Sequence, residues 1–153
     1  MQGFLKIFLR KANFSDIEFL WYLRNRPDVY KYFKDGRVVS WQEHINWITP
    51  IILGKSPKDV LIIQGGGQPV GQVRFDRKNF DFSISVLKEF RGKGIAASAL
   101  ALAIKQIKKE KKAKKMIAEI HKKNIPSIKL FKKTGFKLET KKGNWLKYSL
   151  LIH

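Results

Sequence analysis

Hydrophobic and polar positions along the chain change period several times, and each change marks an element. Phe4-Leu5-Lys6-Ile7-Phe8-Leu9-Arg10 is a short apolar run that reads as a first strand. Ser15-Asp16-Ile17-Glu18 offers an N-cap and an acidic first turn, and Leu20, Trp21 and Leu23 follow at helical spacing. That helix should stop before Pro27. Asp28 to Phe33 is aromatic without a clear period, and Asp35-Gly36 turns the chain. Ser40-Trp41-Gln42-Glu43 is a capping box, from which His44, Ile45, Trp47, Ile48, Ile51 and Ile52 carry a second helix to Gly54.

The middle of the chain reads as a meander. Lys58 to Gln64 is a strand, Gly65-Gly66-Gly67-Gln68-Pro69 a hairpin turn, and Val70 to Phe75 the returning strand. Arg77-Lys78-Asn79 then turns into Phe80 to Leu87. A helix follows from Ile95 to Lys109, with Ala96, Leu100, Ala103 and Ile107 as its apolar stripe. Lys115 to His121 is a strand. Asn124 caps a short helix with Pro126 in its first turn and Gly135 at its end. Phe136 to Glu139 and Asn144 to Ile152 are the last strands, joined around Lys142-Gly143. The order is β-α-α-β-β-β-α-β-α-β-β, an α+β arrangement, and the strand-helix-strand unit in its middle implies a local parallel pair.

The junction within that unit carries chemistry. Phe90-Arg91-Gly92-Lys93-Gly94-Ile95-Ala96-Ala97 is a glycine-rich turn opening a helix. Unpaired N–H groups, the helix dipole and two cations there suit a phosphate or pyrophosphate. Gly54-Lys55-Ser56 resembles the end of a P-loop, but Thr49 stands where the leading glycine belongs. Gly92 to Ala97 also fits G-x-G-x-x-A loosely, yet it follows an antiparallel meander and leaves too little chain for a doubly wound domain.

Arg91-Gly92-Lys93-Gly94-Ile95-Ala96, read as R-x-x-G-x-A, resembles the acetyl-CoA pyrophosphate loop of the GNAT superfamily of N-acetyltransferases. Downstream, Asn124-Ile125-Pro126-Ser127-Ile128-Lys129-Leu130-Phe131-Lys132-Lys133-Thr134-Gly135-Phe136 is similar to a second GNAT signature, in the right order and spacing. More narrowly, Trp21 to Val29, Ser40 to His44 and Val70 to Asp76 look like the members that acetylate amino-sugar nucleotides in pseudaminic and legionaminic acid pathways. Protein N-terminal acetyltransferases share parts of these stretches. The resemblance implies one domain over residues 1–153. Its fold would be three-layered, with a mixed, mostly antiparallel seven-stranded sheet, about four helices and a splay between strands 4 and 5.

The same resemblance implies roles. Acetyl-CoA would be the cosubstrate. The backbone of Val86 and Leu87 would pair with its pantetheine arm, and Arg91, Gly92, Lys93, Gly94, Ile95 and Ala96 would hold the pyrophosphate. Asn124, Lys129 and Phe131 would line the rest of its path. Glu119 matches a position where some members place a base, beside the reading of a strand carboxylate paired with a lysine. Phe131 stands where a tyrosine acid is common and cannot donate a proton. Tyr148 is a remote substitute and otherwise a strand residue. His121 lies near the predicted gap and is the second catalytic candidate. Asn25, Arg26, Tyr32, Trp41, His44 and Arg74 fall in the acceptor region, where each is otherwise read as packing or surface. Arg24, Arg26 or Arg74 could meet an acceptor diphosphate.

Composition adjusts this picture. At 44% hydrophobic and 12% aromatic, the 153 residues suit a globular core. The absence of cysteine excludes disulfides and a cysteine nucleophile and fits a cytoplasmic protein. The three histidines have no ligand spacing, so no metal is expected. No apolar run approaches a membrane span, and Met1 to Arg10 lacks a cleavage site, so neither membrane nor signal peptide is expected. His153 is terminal and expected to fray. The net charge of +20 fits a lysine-rich solvated surface, a field for small anions, or a nucleic-acid-binding module. The chain lacks the aromatic signatures that would favour RNA. The expected partner is a small-molecule amine, and the expected state a monomer or homodimer.

Overall fold

The computed structural model describes residues 5–111 and 113–152. Phe4, assigned to the first strand, and His153 lie outside them. The elements are β1 (Ile7–Lys11), α1 (Ile17–Arg24), α2 (Pro27–Tyr30), α3 (Trp41–Ile52), β2 (Lys58–Gly65), β3 (Gln68–Asp76), β4 (Phe82–Val86), α4 (Ile95–Glu110), β5 (Lys115–His121), α5 (Ile125–Lys133), β6 (Lys137–Lys142) and β7 (Trp145–Leu151). The helix beyond those expected is α2, one turn with Pro27 at its start, where a missing N–H costs nothing.

The strands form two antiparallel sheets, β1-β2-β3-β4 and β5-β7-β6. They meet through one parallel bridge between Asp81 and Ile117. The Ile117 N–H donates to the Phe80 carbonyl at 2.8 Å there. Phe80 has φ 54°, which a bulky residue adopts only where its surroundings hold it. The parallel pair expected around α4 is therefore a single contact, and beyond it β4 and β5 separate.

Period-two patterning decides what each sheet face meets. On β5, Met116, Ala118 and Ile120 are buried, and Ile117, Glu119 and His121 alternate with them. On β3 and β4, Val73, Phe82 and Val86 enter the core, and Arg74 and Ser83 point the opposite way. The larger core lies under α4 and α5, where Leu100, Ala103, Phe131 and Tyr148 pack on Ile63, Val70, Val73 and Met116. Tyr148 is 2% exposed, a core side chain. Leu20 of α1 and Ile48 and Ile51 of α3 cover Val60 and Ile62 on the other face. The layers are thus helix, sheet, helix.

One local detail differs from the sequence reading. Asn13, not Ser15, caps the first helical turn: its side chain accepts from Ser15 N–H, and Asp16 accepts from Asn13 N–H at 2.8 Å. Asp16 is 3% exposed and held by both Arg10 guanidinium nitrogens at 2.8 Å. Burial alone would raise its pKa, but Arg10 and the Asn13 amide outweigh burial and lower it. Further on, α3 runs through Pro50, which has no N–H for the carbonyl one turn back. The Ser40–Glu43 capping box forms as expected. No helix among the described residues is long and apolar enough to cross a membrane.

The β3–β4 pairing brings backbone so close at Gly71 that a Cβ would lie 2.4 Å from the Ser85 carbonyl oxygen. Gly71→Ala should lower stability by about 1–3 kcal/mol, as overpacked cores do. It should shift the urea midpoint without changing the slope.

Candidate active site

The turn after β4 is built around two backbone commitments. Leu87 donates its N–H to Val70 and accepts from Phe90, both at 2.9 Å. Leu87 therefore has no backbone group to offer a ligand, contrary to expectation. Alternate residues of a strand send their amides to opposite sides, so Val86 faces the open edge. Its carbonyl already accepts from Arg91 Nε at 3.0 Å, which leaves its N–H. Arg91 also pairs with Asp28 at 2.6 Å, so its guanidinium ties β4, the turn and α2 together.

Beyond Arg91 the turn opens. Gly94 is the N-cap of α4 at φ 77°, and Gly92 has φ 76°. No side chain caps the helix, and its first turn holds no acidic residue. No atom lies within 4 Å of where a Cβ would sit on either glycine. The α4 N–H groups therefore meet open space with the positive dipole end behind them. Ile95 is 3% exposed and anchors the turn, and Lys93 lies over Phe90 at 5.5 Å. Asn124 caps α5 by accepting from Ser127 N–H at 3.4 Å, and Lys129 is exposed on that helix. Phe131 is 2% exposed and packs edge-on against Phe136, so it forms the floor of the site.

These groups line one cleft of about 1170 Å³ that passes between β4 and β5 to the opposite side of the sheet. Glu119 and His121 stand on that side, as β5 periodicity requires. Glu119 forms an ion pair with Lys34. The His121 ring lies 5.3 Å from Trp145 and 5.8 Å from Tyr32. Its Nδ1 accepts from Lys123 N–H at 3.1 Å, which places the neutral ring's proton on Nε2. Neutral His121 is thus arranged as a donor.

Asp81 belongs to the same group, although the sequence reading passed over it. It sits at the point where β4 and β5 part, and burial, then Glu119, push its carboxyl up to about 6. The signal was present: Asp81, Ser83 and Ser85 form a polar period-two set between Phe80, Phe82, Ile84 and Val86.

The acceptor-region candidates divide. Tyr32, His44 and Arg74 line the cleft; Asn25, Arg26 and Trp41 do not. Asn25 clamps the loop before α3, bonding the Val39 carbonyl at 3.0 Å and its N–H at 2.9 Å. Arg26 bonds the Tyr22 hydroxyl at 3.2 Å and pairs with Asp28 at 3.6 Å. Trp41 is 45% exposed and packs on Trp21. His44 is 3% exposed, its Nε2 is bonded to the Ile17 carbonyl at 2.9 Å, and burial lowers its pKa. That makes His44 a neutral packing group. Arg74 lies over Trp47 at 4.9 Å and Phe33 at 5.3 Å.

A family model described as an acetyltransferase (GNAT) domain matches residues 6–137. An uncharacterized protein of Methanocaldococcus jannaschii is 33% identical over 147 residues, 90% of this chain and 29% of that protein. An N-alpha-acetyltransferase of Saccharolobus solfataricus is 39% identical over 61 residues, 40% of this chain and 36% of that protein. The chain thus spans well under two thirds of these relatives' lengths. Among solved structures, a domain from Methanocaldococcus jannaschii has a TM-score of 0.85 at 30% identity, over 97% of this chain and 99% of that one. A ribosomal L7/L12 alpha-N-protein acetyltransferase in complex with coenzyme A scores 0.84 at 17% identity, over 95% and 94%. Spermidine N-acetyltransferase from Vibrio cholerae, in complex with CoA and spermine, scores 0.83 at 18% identity, over 95% of each chain. At such identities the last two show a shared fold alone.

Asp81 gives a test of the cleft's polarity. Its folded-state pKa of about 6 lies above the ordinary 3.8, so the fold holds this proton more tightly than the unfolded chain does. That contribution is complete below the ordinary value and lost as pH rises through the folded one. Asp81→Asn should raise Tm at pH about 7.5 and lose most of the gain at pH about 4.5. An equal gain at both would rule out burial of the charge as the cause.

Proposed function

This chain belongs to the GNAT acetyltransferase family, and we propose that it transfers the acetyl group of acetyl-CoA to a primary amine. The observation that carries the reading is the single passage from the open Gly92–Gly94 turn, between β4 and β5, to the carboxylates of Glu119 and Asp81. A phosphate-bearing thioester held at the turn presents its reactive end to that face. The α4 N–H groups and Lys93 hold the pyrophosphate, Val86 N–H meets the pantetheine arm, and Asn124 and Lys129 flank it. Thioesters are activated already, so holding amine and carbonyl in line supplies much of the rate.

The acceptor amine arrives as an ammonium ion and must lose a proton. Glu119, paired with Lys34, takes it directly or through water, with Asp81 as the neighbouring acid. His121 Nε2–H, held by the Lys123 amide behind it, hydrogen-bonds a reacting oxygen or the departing thiolate. Phe131 has no proton to give, so His121 or water fills that role.

Two acceptor scaffolds fit. Motif likeness supports an amino-sugar nucleotide, and the cationic cleft wall agrees with its diphosphate. The 61-residue match to an N-alpha-acetyltransferase supports a protein or peptide N-terminus instead.

Thermal unfolding with acetyl-CoA, using ATP and heparin as polyanion controls at moderate salt, tests the cosubstrate. Acetyl-CoA at about 100 times its dissociation constant should stabilise by about 2.7 kcal/mol. Gly94→Glu, which sets a charge and a strained side chain in the phosphate position, should abolish that shift. Equal shifts from all three anions would sink the reading in favour of a basic nucleic-acid-binding surface. Given a turned-over acceptor, Glu119→Gln should lower kcat by roughly 10²-fold or more at unchanged acetyl-CoA affinity. Unchanged kcat would remove Glu119 from the proton path.

A further inference from the structure

Four arginines line the cleft: Arg24, Arg37, Arg74 and Arg91. Three are occupied. Arg24 donates to the Arg37 and Asp35 carbonyls at 3.0 and 2.9 Å, Arg37 pairs with Glu43 at 2.6 Å, and Arg91 holds Val86 and Asp28. Among the described residues Arg74 meets only aromatic rings, Phe33 and Trp47, and the charges near it act without a hydrogen bond. A guanidinium carries five in-plane donors, and ring stacking satisfies none of them.

Its neighbours do not neutralise it. Burial, then the like charge of Arg24, bring the Arg74 pKa down to about 10, so the group stays charged at neutral pH. Asp81 is close enough to feel Arg74, yet its carboxyl is pushed up; a true ion pair would pull it down. The pocket therefore holds a partly buried cation whose donors point at no protein oxygen.

Register then fixes what lies beside it. Arg74 is paired with Ser83 on β4, and Asp81 is two residues before Ser83, on the same sheet face. Such diagonal neighbours lie about 7–8 Å apart. Asp81 bridges Ile117 in parallel, and Glu119 is two residues on, again on that face. One small surface thus offers a cation and, across a gap of a few bonds, two carboxylates. That is the complement of a molecule bearing both an ammonium and an anion.

We propose that Arg74 is the receptor for an anionic oxygen group, carboxylate or phosphate, carried on the same molecule as the acceptor amine. The inference rests on the acetyl-transfer reading and deepens it. Arg74 binds the anion edge-on, Phe33 and Trp47 hold the guanidinium plane, and the amine is thereby set before Glu119. Amines of similar size that carry no anionic group lose this anchor and also leave Arg74 unpaired.

The test is binding to CoA-saturated protein, read by ligand-observed NMR and calorimetry, with two matched pairs. O-phosphoethanolamine against ethanolamine probes phosphate; 4-aminobutyrate against butylamine probes carboxylate. At least one anion-bearing member should bind about tenfold or more tightly than its partner without the anion, and the pair with the larger ratio names the source. Arg74→Gln should erase that ratio and leave CoA affinity intact, which also reports that the variant is folded; Arg74→Lys should retain part of it. If Arg74→Gln fails to fold, the ratio is compared between wild type and Arg74→Lys, where an unreduced preference counts against the assignment. Equal binding within both pairs, undetectable binding of all four included, overturns the proposal. So does a preference that survives Arg74→Gln. Failure of CoA itself to bind would instead remove the transfer reading, and the same pairs on the free protein would still decide for or against Arg74.

Discussion

The site depends on the parting of β4 from β5. A seven-stranded sheet closed across its middle would satisfy every ladder amide and leave no passage. Among the described residues, one backbone bridge at Asp81–Ile117 is the only strand pairing between the two sheets. Phe80, with left-handed backbone, accepts from Ile117 N–H at this bridge. From that point the β4 edge is open, and an unpaired edge is a template for an extended ligand. The same parting sets α4 with its N-terminus at one mouth of the cleft and β5 with Glu119 at the other.

Charge inside the cleft follows a different logic from charge outside it. The lysines behind the net +20 are mostly exposed, and solvent and salt screen them. In the cleft each charge has a position set by backbone register, and few partners exchange freely. Arg91 illustrates such placement: two of its donors are committed to Val86 and Asp28, which fixes the guanidinium beside the turn. Arg74 is the converse, a cation left with rings alone.

What could be read in the sequence was whatever depends on local rules. The Ser40–Glu43 box announced α3, and the glycines announced the open turn. Asn25, Arg26 and Trp41 were read toward the acceptor because they lie near it in sequence, but their side chains are used on the outer wall. That distinction depends on how α1 meets the loop before α3, which no local pattern encodes. Leu87 was misread for a related reason: competition between a ligand and the chain's own backbone is visible only once the turn is closed. Asp81 was readable from the alternation of its strand, yet a lone acid beside two aromatics resembles a turn residue until the bridge to β5 is known.

These observations bear on why the cleft has two kinds of acid. Glu119 pairs with Lys34 and is exposed to solvent. Asp81 lies deeper, has no ion pair within reach, and holds its proton to about pH 6. The two acids are not interchangeable: burial, then the charge of Glu119, raises Asp81. An ammonium ion entering the cleft would favour the ionised form of Asp81 for as long as it keeps its charge. In the proposed reaction, an acceptor that carries its own anion for Arg74 would bring that ammonium charge already balanced within one molecule.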